Sequence, residues 1–224
     1  MNASRLGGWA VSVVAVVLTA YPANRLCAQH GTVGAHLAFG DYREVSSDLH
    51  YRGSGGGVAG SFTFRKLGIE ASVAGITYDP VKGSSATVSF KATQLDVRVR
   101  YEISGPVSAE VGFVNRKIKP EFEAQSMGAV RAGVRLSYPL GPGVQMGLRG
   151  GMLFGSKFSG GGTVSGVGAL ELGLNMAVDA LRGRLRLTGD YDFQRIARTT
   201  NAGGGDVAVP IQQALGRLGL AVAF

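Results

Sequence analysis

The amino-acid sequence predicts an all-β chain that forms an antiparallel, up-and-down transmembrane β-barrel of ten strands, with eight strands as the alternative. Three observations lead to this fold. Short segments of alternating apolar and polar residues recur from about residue 31 onwards. Their connections alternate between short turns and longer polar or glycine-rich stretches. The last segment ends on an aromatic residue, Phe224, where a water-soluble chain usually has a polar tail.

Residues 1–28 are expected to be a cleavable export signal. Arg5 supplies a positive start, and the apolar run over residues 9–20 is shorter than the ~20 residues that a spanning helix needs. Cleavage is expected after Ala28, with Ala23 as a second candidate. Because Cys27 is the only cysteine, residues 29–224 would then be a barrel without disulfides or thiol chemistry.

The clearest predicted strand covers residues 95–103, LDVRVRYEI. Its five apolar residues alternate with four charged ones, and successive side chains of a strand point to opposite faces. A soluble sandwich could show the same alternation. The other nine strands are expected, in order, at residues 32–42, 55–65, 67–78, 107–117, 127–138, 144–157, 164–176, 184–195 and 211–224.

The connections at one end of these strands are tight, and those at the other end are mostly longer, which is the layout of a barrel with short periplasmic turns and longer outer loops. An even number of strands places both termini at the turns. Aromatic residues are expected in two interfacial belts. The belt at the turns would contain Phe62, Phe64, Tyr101, Tyr138 and Phe224. The belt at the loops would contain Phe39, Tyr78, Phe90, Phe154, Tyr191 and Phe193.

On these features the chain resembles a small bacterial outer-membrane β-barrel protein, with no particular subfamily indicated. The resemblance implies export through the periplasm to the outer membrane of a Gram-negative envelope. It also implies that the barrel-assembly machinery recognises the last strand, whose apolar face would be the assembly signal: Leu218, Leu220, Val222 and Phe224.

The formal charge of the chain is +8, and without Arg5 and Arg25 there are 21 basic residues against 15 acidic ones. A basic excess often indicates nucleic-acid binding, but export would keep the protein away from nucleic acid. The expected anionic partner is outer-membrane lipid, including lipopolysaccharide if the organism has it. Basic residues of the loop regions could bind its phosphates, although ordinary solvated charge explains them equally well: Arg43, Arg52, Lys82, Lys91, Lys117, Lys119 and Lys157.

If the apolar face of each strand meets lipid, the other face lines the lumen. Its eight expected basic residues are Arg98, Arg100, Arg131, Arg135, Arg149, Arg184, Arg186 and Arg217. Its seven expected acidic residues are Glu70, Asp96, Glu102, Glu110, Glu171, Asp190 and Asp192. Because buried charges are costly unless paired, and a ten-stranded barrel is narrow, we expect a cross-linked ionic core that blocks diffusion. A charged eyelet that conducts small ions is the alternative.

Catalytic candidates are few because the chain has three histidines. His50, with Asp48 and Asp79, could activate water as the His and Asp residues of omptin-type proteases do, but these three read more simply as solvated loop residues. No metal-ligand spacing is found in the sequence, and no cofactor is expected. The glycine runs 55–57, 160–162 and 203–205 lack the Lys-Ser/Thr of a phosphate loop and are expected to be flexible outer loop tips.

The sequence therefore predicts a non-enzymatic outer-membrane barrel protein with a charge-filled lumen, which serves envelope structure or surface interaction through its outer loops. A narrow pore for small solutes or ions is the alternative, and an outer-membrane hydrolase is a third, weaker hypothesis.

Overall fold

A computed structural model describes residues 29–201 and 205–224, so the predicted export signal, residues 1–28, lies outside the described residues. Within them almost every residue belongs to a strand. The strands are β1 (Gln29–Glu44), β2 (Leu49–Phe64), β3 (Leu67–Pro80), β4 (Phe90–Ser104), β5 (Val107–Lys119), β6 (Met127–Gly141), β7 (Val144–Phe158), β8 (Thr163–Ala180), β9 (Leu185–Asn201), β10 (Asp206–Ala208) and β11 (Ile211–Ala223).

The strands close into one antiparallel barrel. Each barrel strand pairs with its neighbours along the chain, and β1 also pairs with β11, which leaves no open edge. The short β10 pairs only with the end of β9, so ten strands form the barrel wall, as predicted, rather than eight. At the closing seam, the backbone N–H groups of Gly31 and Phe224 donate to each other's carbonyls at 2.8 and 2.9 Å.

The two faces of the wall differ sharply in polarity. On β4, Leu95 points outward and is 40% exposed, whereas the neighbouring Asp96 and Arg98 point inward and are 4% exposed. The other barrel strands follow the same alternation, with most of the Leu and Val side chains outside and most of the arginines inside, although aromatic and Ile side chains also face inward near one end. An apolar outer wall around a polar interior is the arrangement of a barrel that spans a membrane.

The helical content is small. Two 3-10 turns occur among the described residues, at Glu123–Gln125 and Leu181–Gly183. Within residues 29–201 and 205–224, no helix is long and apolar enough to cross a membrane.

The two ends of the barrel have different connections, and we refer to them as the turn end and the loop end. At the turn end, two-residue turns join β2 to β3, β4 to β5 and β6 to β7, and a 3-10 turn joins β8 to β9. At the loop end, residues 81–89 and 120–126 form the longer described loops. The ten strands of the barrel wall have 13 to 18 residues, more than the ~9–11 needed to span a bilayer.

The glycine run at residues 55–57 is not a loop tip, which corrects the prediction from sequence. It lies in the middle of β2, where Gly57 pairs with His36 of β1 and Ala74 of β3. A Cβ on Gly57 would overlap the backbone carbonyl oxygen of Val73. The run therefore allows close backbone approach within the wall. The run at 160–162 does lie in a loop-end turn, and residues 203–204 lie outside the described residues.

Two aromatic residues predicted for the loop-side belt point inward instead. Tyr78 and Phe90 pair with each other across β3 and β4 and are 1% and 2% exposed. The prediction was wrong because it placed these residues by height along the strand and ignored the face on which they lie. Seven other predicted belt residues are exposed on the outer wall: Phe39, Phe62, Tyr101, Tyr138, Phe154, Tyr191 and Phe224.

A bulge changes the facing of residues near the loop end of β7. The register with β6 shifts between Gly128 and Val130, opposite Phe154 and Lys157. Gly155, within the bulge, has a φ of 57°. Since the extra residue reverses the alternation, Phe158 is buried although it is an odd number of positions from the inward-facing Arg149.

Candidate functional site

The barrel interior is the candidate functional site, and at its loop end it is filled by an aromatic cap: Tyr42, Tyr51, Tyr78, Phe90 and Phe122. The rings of Tyr78 and Phe90 stack with centroids 4.9 Å apart, and Tyr51 meets Phe90 edge-on at the same distance. Phe122, from the loop between β5 and β6, lies 5.6 Å from both Tyr51 and Phe90. Aromatic pairs at these distances and angles are favourable.

The loop that carries Phe122 is held to the barrel by side-chain hydrogen bonds. Gln125 donates its amide N–H to the Glu44 carboxylate on β1. Ser126 Oγ accepts from the backbone N–H of Ile118 at 2.9 Å. Both polar side chains are buried. These bonds fasten the loop over the cap.

A layer of glutamines around Arg116 separates the cap from the charged part of the interior. Arg116 is 2% exposed and donates to the side-chain carbonyls of Gln194, at 3.0 Å, and Gln94, at 3.4 Å. Gln213 donates to the same Gln94 oxygen at 3.3 Å. Among the described residues, Arg116 has no carboxylate within ion-pair distance. Its guanidinium group therefore donates to neutral glutamine carbonyls rather than to carboxylates.

Below this layer lies the ionic network, in which four arginines and four carboxylates meet: Asp96, Arg98, Arg131, Arg149, Glu171, Asp190, Asp192 and Arg217. Arg98 contacts three of the carboxylates, at 3.1 Å from Asp96, 3.0 Å from Glu171 and 3.2 Å from Asp192. Arg131 bridges two of the same groups, at 3.0 Å from Asp96 and 2.9 Å from Glu171. The network links side chains from strands on different sides of the lumen.

Asp192 is the most heavily shared carboxylate of the ionic network. It is contacted by Arg98, by Arg149 at 2.8 Å and by Arg217. Arg149 also reaches Asp190 at 3.3 Å, whereas Arg217 makes its other hydrogen bond to the Ser72 hydroxyl at 3.0 Å. Asp192 is thus the only carboxylate within ion-pair distance of Arg217 among the described residues.

A smaller charged cluster lies nearer the turn end. Arg135 binds Glu70 through two parallel hydrogen bonds of 2.7 and 2.8 Å, and its Nε lies 2.6 Å from Glu110. Bidentate arginine–carboxylate pairs are the stronger kind. Arg100 lies 4.0 Å from Glu70 and donates to the Thr63 hydroxyl at 3.2 Å. This cluster balances two positive charges with two negative ones.

The structure brings most of the predicted lumen residues together, but not all of them. The ionic network and the smaller cluster contain twelve of the fifteen. Arg186 lies at the turn end, where it pairs with Asp179 at 2.6 and 3.0 Å. Arg184 and Glu102 are exposed, contrary to prediction. Arg184 precedes the first residue of β9, and Glu102 lies next to a bulge that shifts the register of β4 with β5.

Four charged inward or rim residues were missed from the sequence, Glu44, Arg116, Asp179 and Arg198, together with the inward glutamines around Arg116. Arg198 donates to the Gly161 carbonyl at 2.7 Å and lies 4.4 Å above the ring of Phe158. Extending the alternation of the strand predicted at residues 184–195 would have found Arg198. Arg116 lies within the strand predicted at residues 107–117 and shares the inward parity of Glu110, so the alternation already indicated it.

The predicted grouping of His50 with Asp48 and Asp79 does not form. His50 lies on the outer wall near the loop end, with its Nε2 3.0 Å from Asp41. Asp48 pairs instead with Arg43 at 3.5 Å, and Asp79 accepts a hydrogen bond from Ser89. Within residues 29–201 and 205–224, no group of three or more His, Cys, Asp or Glu side chains is arranged to hold a metal ion.

The predicted assembly signal lies along the closing seam. Leu218, Leu220, Val222 and Phe224 all point outward and are 47 to 60% exposed. They belong to the strand that pairs with β1, apart from Phe224, which follows it. Their recognition by assembly machinery stays a prediction.

A cavity of about 210 Å³ occupies the lumen at the turn end. Its mouth includes His30, Thr63 and Gln145, and its floor reaches Arg149 and Arg217 of the ionic network. No residue of the aromatic cap lines it. The interior is therefore open toward the turns and filled toward the loops.

Solved structures with a similar fold were found by comparison with known proteins. The chain is similar to bacterial outer-membrane β-barrels. Neisserial surface protein A matches 87% of this chain and 97% of its own at 13% identity, with a TM-score of 0.39. The Ail attachment invasion locus protein of Yersinia pestis matches 87% and 98% at 11% identity, with a TM-score of 0.39.

The outer membrane protease OmpT of Escherichia coli matches 88% of this chain and 96% of its own at 7% identity, with a TM-score of 0.46. No protein-family model and no curated protein sequence matches the chain. Identities and TM-scores this low say nothing about what the protein does.

Proposed function

We propose that the protein is a non-enzymatic bacterial outer-membrane barrel whose lumen does not conduct solutes, and which serves envelope structure or surface interaction at its loop end. The observation that carries this proposal is the filling of the loop-end half of the lumen by the aromatic cap. Tyr51, Tyr78 and Phe90 are each 2% exposed or less. A solute would have to displace these rings and then the ionic network.

The polarity of the wall supports a location in the outer membrane. The outward side chains of β8, Leu170, Leu172 and Leu174, are all more than 40% exposed, as suits contact with lipid. Short turns at one end and longer loops at the other match the layout of outer-membrane barrels. On this layout the turn end faces the periplasm and the loop end faces the cell exterior.

The loop end supports surface interaction because apolar side chains are exposed there. Val45, Val88 and Val207, from three separate connections, are 41 to 47% exposed. Exchanging the loops 45–48 and 81–89 for polar linkers of equal length should abolish binding of the protein to its target surface, while the barrel stays folded. Unchanged binding after the exchange would contradict this role.

Single-channel recording in a planar bilayer tests the closed lumen. The folded protein should give no discrete conductance, since the cap and the ionic network together leave no continuous path. Resistance to unfolding by detergent at room temperature, assayed on the same preparation, is the control for folding. Stable, uniform conductance steps would overturn the proposal and favour the alternative hypothesis, a narrow pore for small solutes or ions.

We further propose that lipid phosphates are partners of the loop-end wall. Lys91 and Lys119 lie directly opposite each other on β4 and β5, and Lys117 lies two residues away on the same face. Like charges in opposite positions are destabilising unless an anion lies between them. Lys91→Gln with Lys119→Gln should weaken binding to lipopolysaccharide or to anionic vesicles more than Arg65→Gln with Lys66→Gln at the turn end. Equal losses would count against a specific site.

Recognition of β11 by the barrel-assembly machinery completes the proposal. The outward side chains of this strand are exposed, and it is one of the two strands of the closing seam. Its backbone edge is free for contact until the seam has formed, and its apolar outer face stays exposed afterwards.

A further inference from the structure

We propose that the turn-end cavity is a binding site for a small oxyanion, such as a phosphate or the carboxylate group of a small solute. Neither the barrel fold nor the closed lumen requires such a site. The proposal rests on the charges that face the cavity, on the unused hydrogen-bond donors in its wall and on its one-sided opening.

Arginines outnumber carboxylates in the cavity wall. The arginines that line it are Arg98, Arg100, Arg135, Arg149, Arg186 and Arg217. Among the described residues, the carboxylates that line it are Glu70, Asp96 and Asp190. The excess arises because Glu110, Glu171 and Asp192 lie behind the arginines that they bind. The charged interior is nearly balanced as a whole, but its surface toward the cavity is positive.

The wall also offers more free donors than free acceptors. Arg149 donates hydrogen bonds only through Nη2, and so does Arg100, which leaves their Nη1 groups without a hydrogen-bond partner among the described residues. Both oxygens of Asp192 and both oxygens of Glu70 are already taken by arginines. Since a guanidinium has five N–H donors and no acceptor, the missing partner must supply acceptor oxygens.

Two further polar groups of the wall can serve such a ligand. His36 Nε2 and Asn175 Oδ1 are buried against the wall near Gly57 and Gly147, so the His36 Nδ1 atom and the Asn175 amide N–H₂ group are the ones left for a ligand. Both residues line the cavity. An imidazole can donate from either nitrogen, and an amide can turn its N–H₂ group toward an anion. An oxyanion on the cavity floor would therefore find donors on several sides.

The size and opening of the cavity restrict the ligand. Its volume of about 210 Å³ is below the ~300–1,000 Å³ of pockets for drug-sized molecules, so the ligand must be small. The aromatic cap closes the opposite end, and the ligand must enter from the turn end. That this end faces the periplasm rests on the proposed function, but the binding itself does not depend on it.

Chemical labelling of an introduced cysteine tests whether the electrostatic potential in the cavity is positive. In a Cys27→Ser background, Ser61→Cys places a thiol in the cavity wall, and Ser104→Cys places one on the exposed turn end as the control. The ratio of the rates for an anionic and a cationic methanethiosulfonate reagent should be several-fold higher at position 61 than at position 104. Inorganic phosphate should slow labelling at position 61 only. Equal ratios at the two positions, or no protection by phosphate, would overturn the proposal.

A matched pair of conservative variants tests the donors. Arg149→Lys keeps the charge but removes the unpaired Nη1 group of a residue that lines the cavity, and Arg131→Lys replaces an arginine of the same network that does not line it. Titration calorimetry with inorganic phosphate, and separately with acetate, should show about tenfold weaker binding for Arg149→Lys only, because charge-assisted hydrogen bonds to arginine are strong and directional. Equal weakening in both variants, or none in either, would overturn the site.

These experiments separate the two proposals. They use folded protein in detergent and do not depend on orientation, localisation or conductance. The labelling test leaves the ionic network intact, so it decides the question even if a network variant fails to fold. Discrete conductance would overturn the closed lumen without affecting the oxyanion site.

Discussion

Replacing Asp192 by asparagine should strongly destabilise the barrel, because this carboxylate faces three arginines. Two of them keep other carboxylates after the change: Arg98 retains Asp96 and Glu171, and Arg149 retains Asp190. Within the described part of the chain, Arg217 keeps only its hydrogen bond to Ser72. Asp192→Asn therefore leaves one buried guanidinium without a carboxylate, for which the cost is about 3–5 kcal/mol.

The free energy of unfolding, measured by urea titration in lipid vesicles, checks this value. Asp179→Asn is the matched control, because it breaks the Arg186–Asp179 pair at the turn end. The two side chains of this pair are 29% and 25% exposed, respectively. Exposed pairs contribute about 1 kcal/mol or less. If the two variants lose the same stability, the reasoning about the buried network is wrong.

A double variant tests the assignment of the cost to Arg217. Asp192→Asn removes the carboxylate of the Arg217–Asp192 pair, and Arg217→Met also removes the guanidinium that would otherwise be left unpaired. The loss of unfolding free energy in the double variant should be smaller than the sum of the two single-variant losses by about 1–3 kcal/mol, as is found for residues in direct contact. Strict additivity would show that the cost of Asp192→Asn arises elsewhere in the network.

Three further outcomes are expected. Gly57→Ala should lower the free energy of unfolding by about 1–3 kcal/mol through the clash with the Val73 carbonyl, whereas Gly56→Ala on the outer wall should cost less; equal effects in urea titration would contradict the packing described. Tyr51→Phe should leave stability unchanged or raise it by about 1 kcal/mol, because the buried hydroxyl has no partner in the described structure, and a clear loss would reveal a bond to it. Deleting Phe224 should reduce the fraction of heat-modifiable, folded barrel in cells, and normal assembly of the truncated chain would refute its role in the signal.

Alternation of residues was enough to predict the fold and much of its interior. The charged face of residues 95–103 was assigned to the lumen, and Asp96, Arg98 and Arg100 do lie inward. Parity works here because side chains of a strand alternate strictly between faces unless a bulge intervenes. The even number of strands followed from the two kinds of connection.

The sequence did not predict the aromatic cap or the exact extent of the strands. Phe90 lay outside the predicted strand that begins at residue 95, so its parity was not considered. The glycines at 55–57 were taken for a loop because glycine is common in both loops and tightly packed strands, and only the backbone of the neighbouring strand distinguishes the two. The positive charge of the cavity wall likewise could not be predicted, because it depends on which carboxylates lie behind the arginines in the folded barrel.

The seam between β1 and β11 has a consequence for how the protein enters the membrane. Until these strands pair, the inward arginines, including Arg217 on β11 itself, are not enclosed by the wall. An arginine that faces hydrocarbon at the middle of a bilayer costs about 2–4 kcal/mol. An open sheet lying in lipid would incur this cost for several residues at once. Insertion as an open sheet exposed to lipid is therefore disfavoured, and pairing of the interior charges favours closure together with insertion.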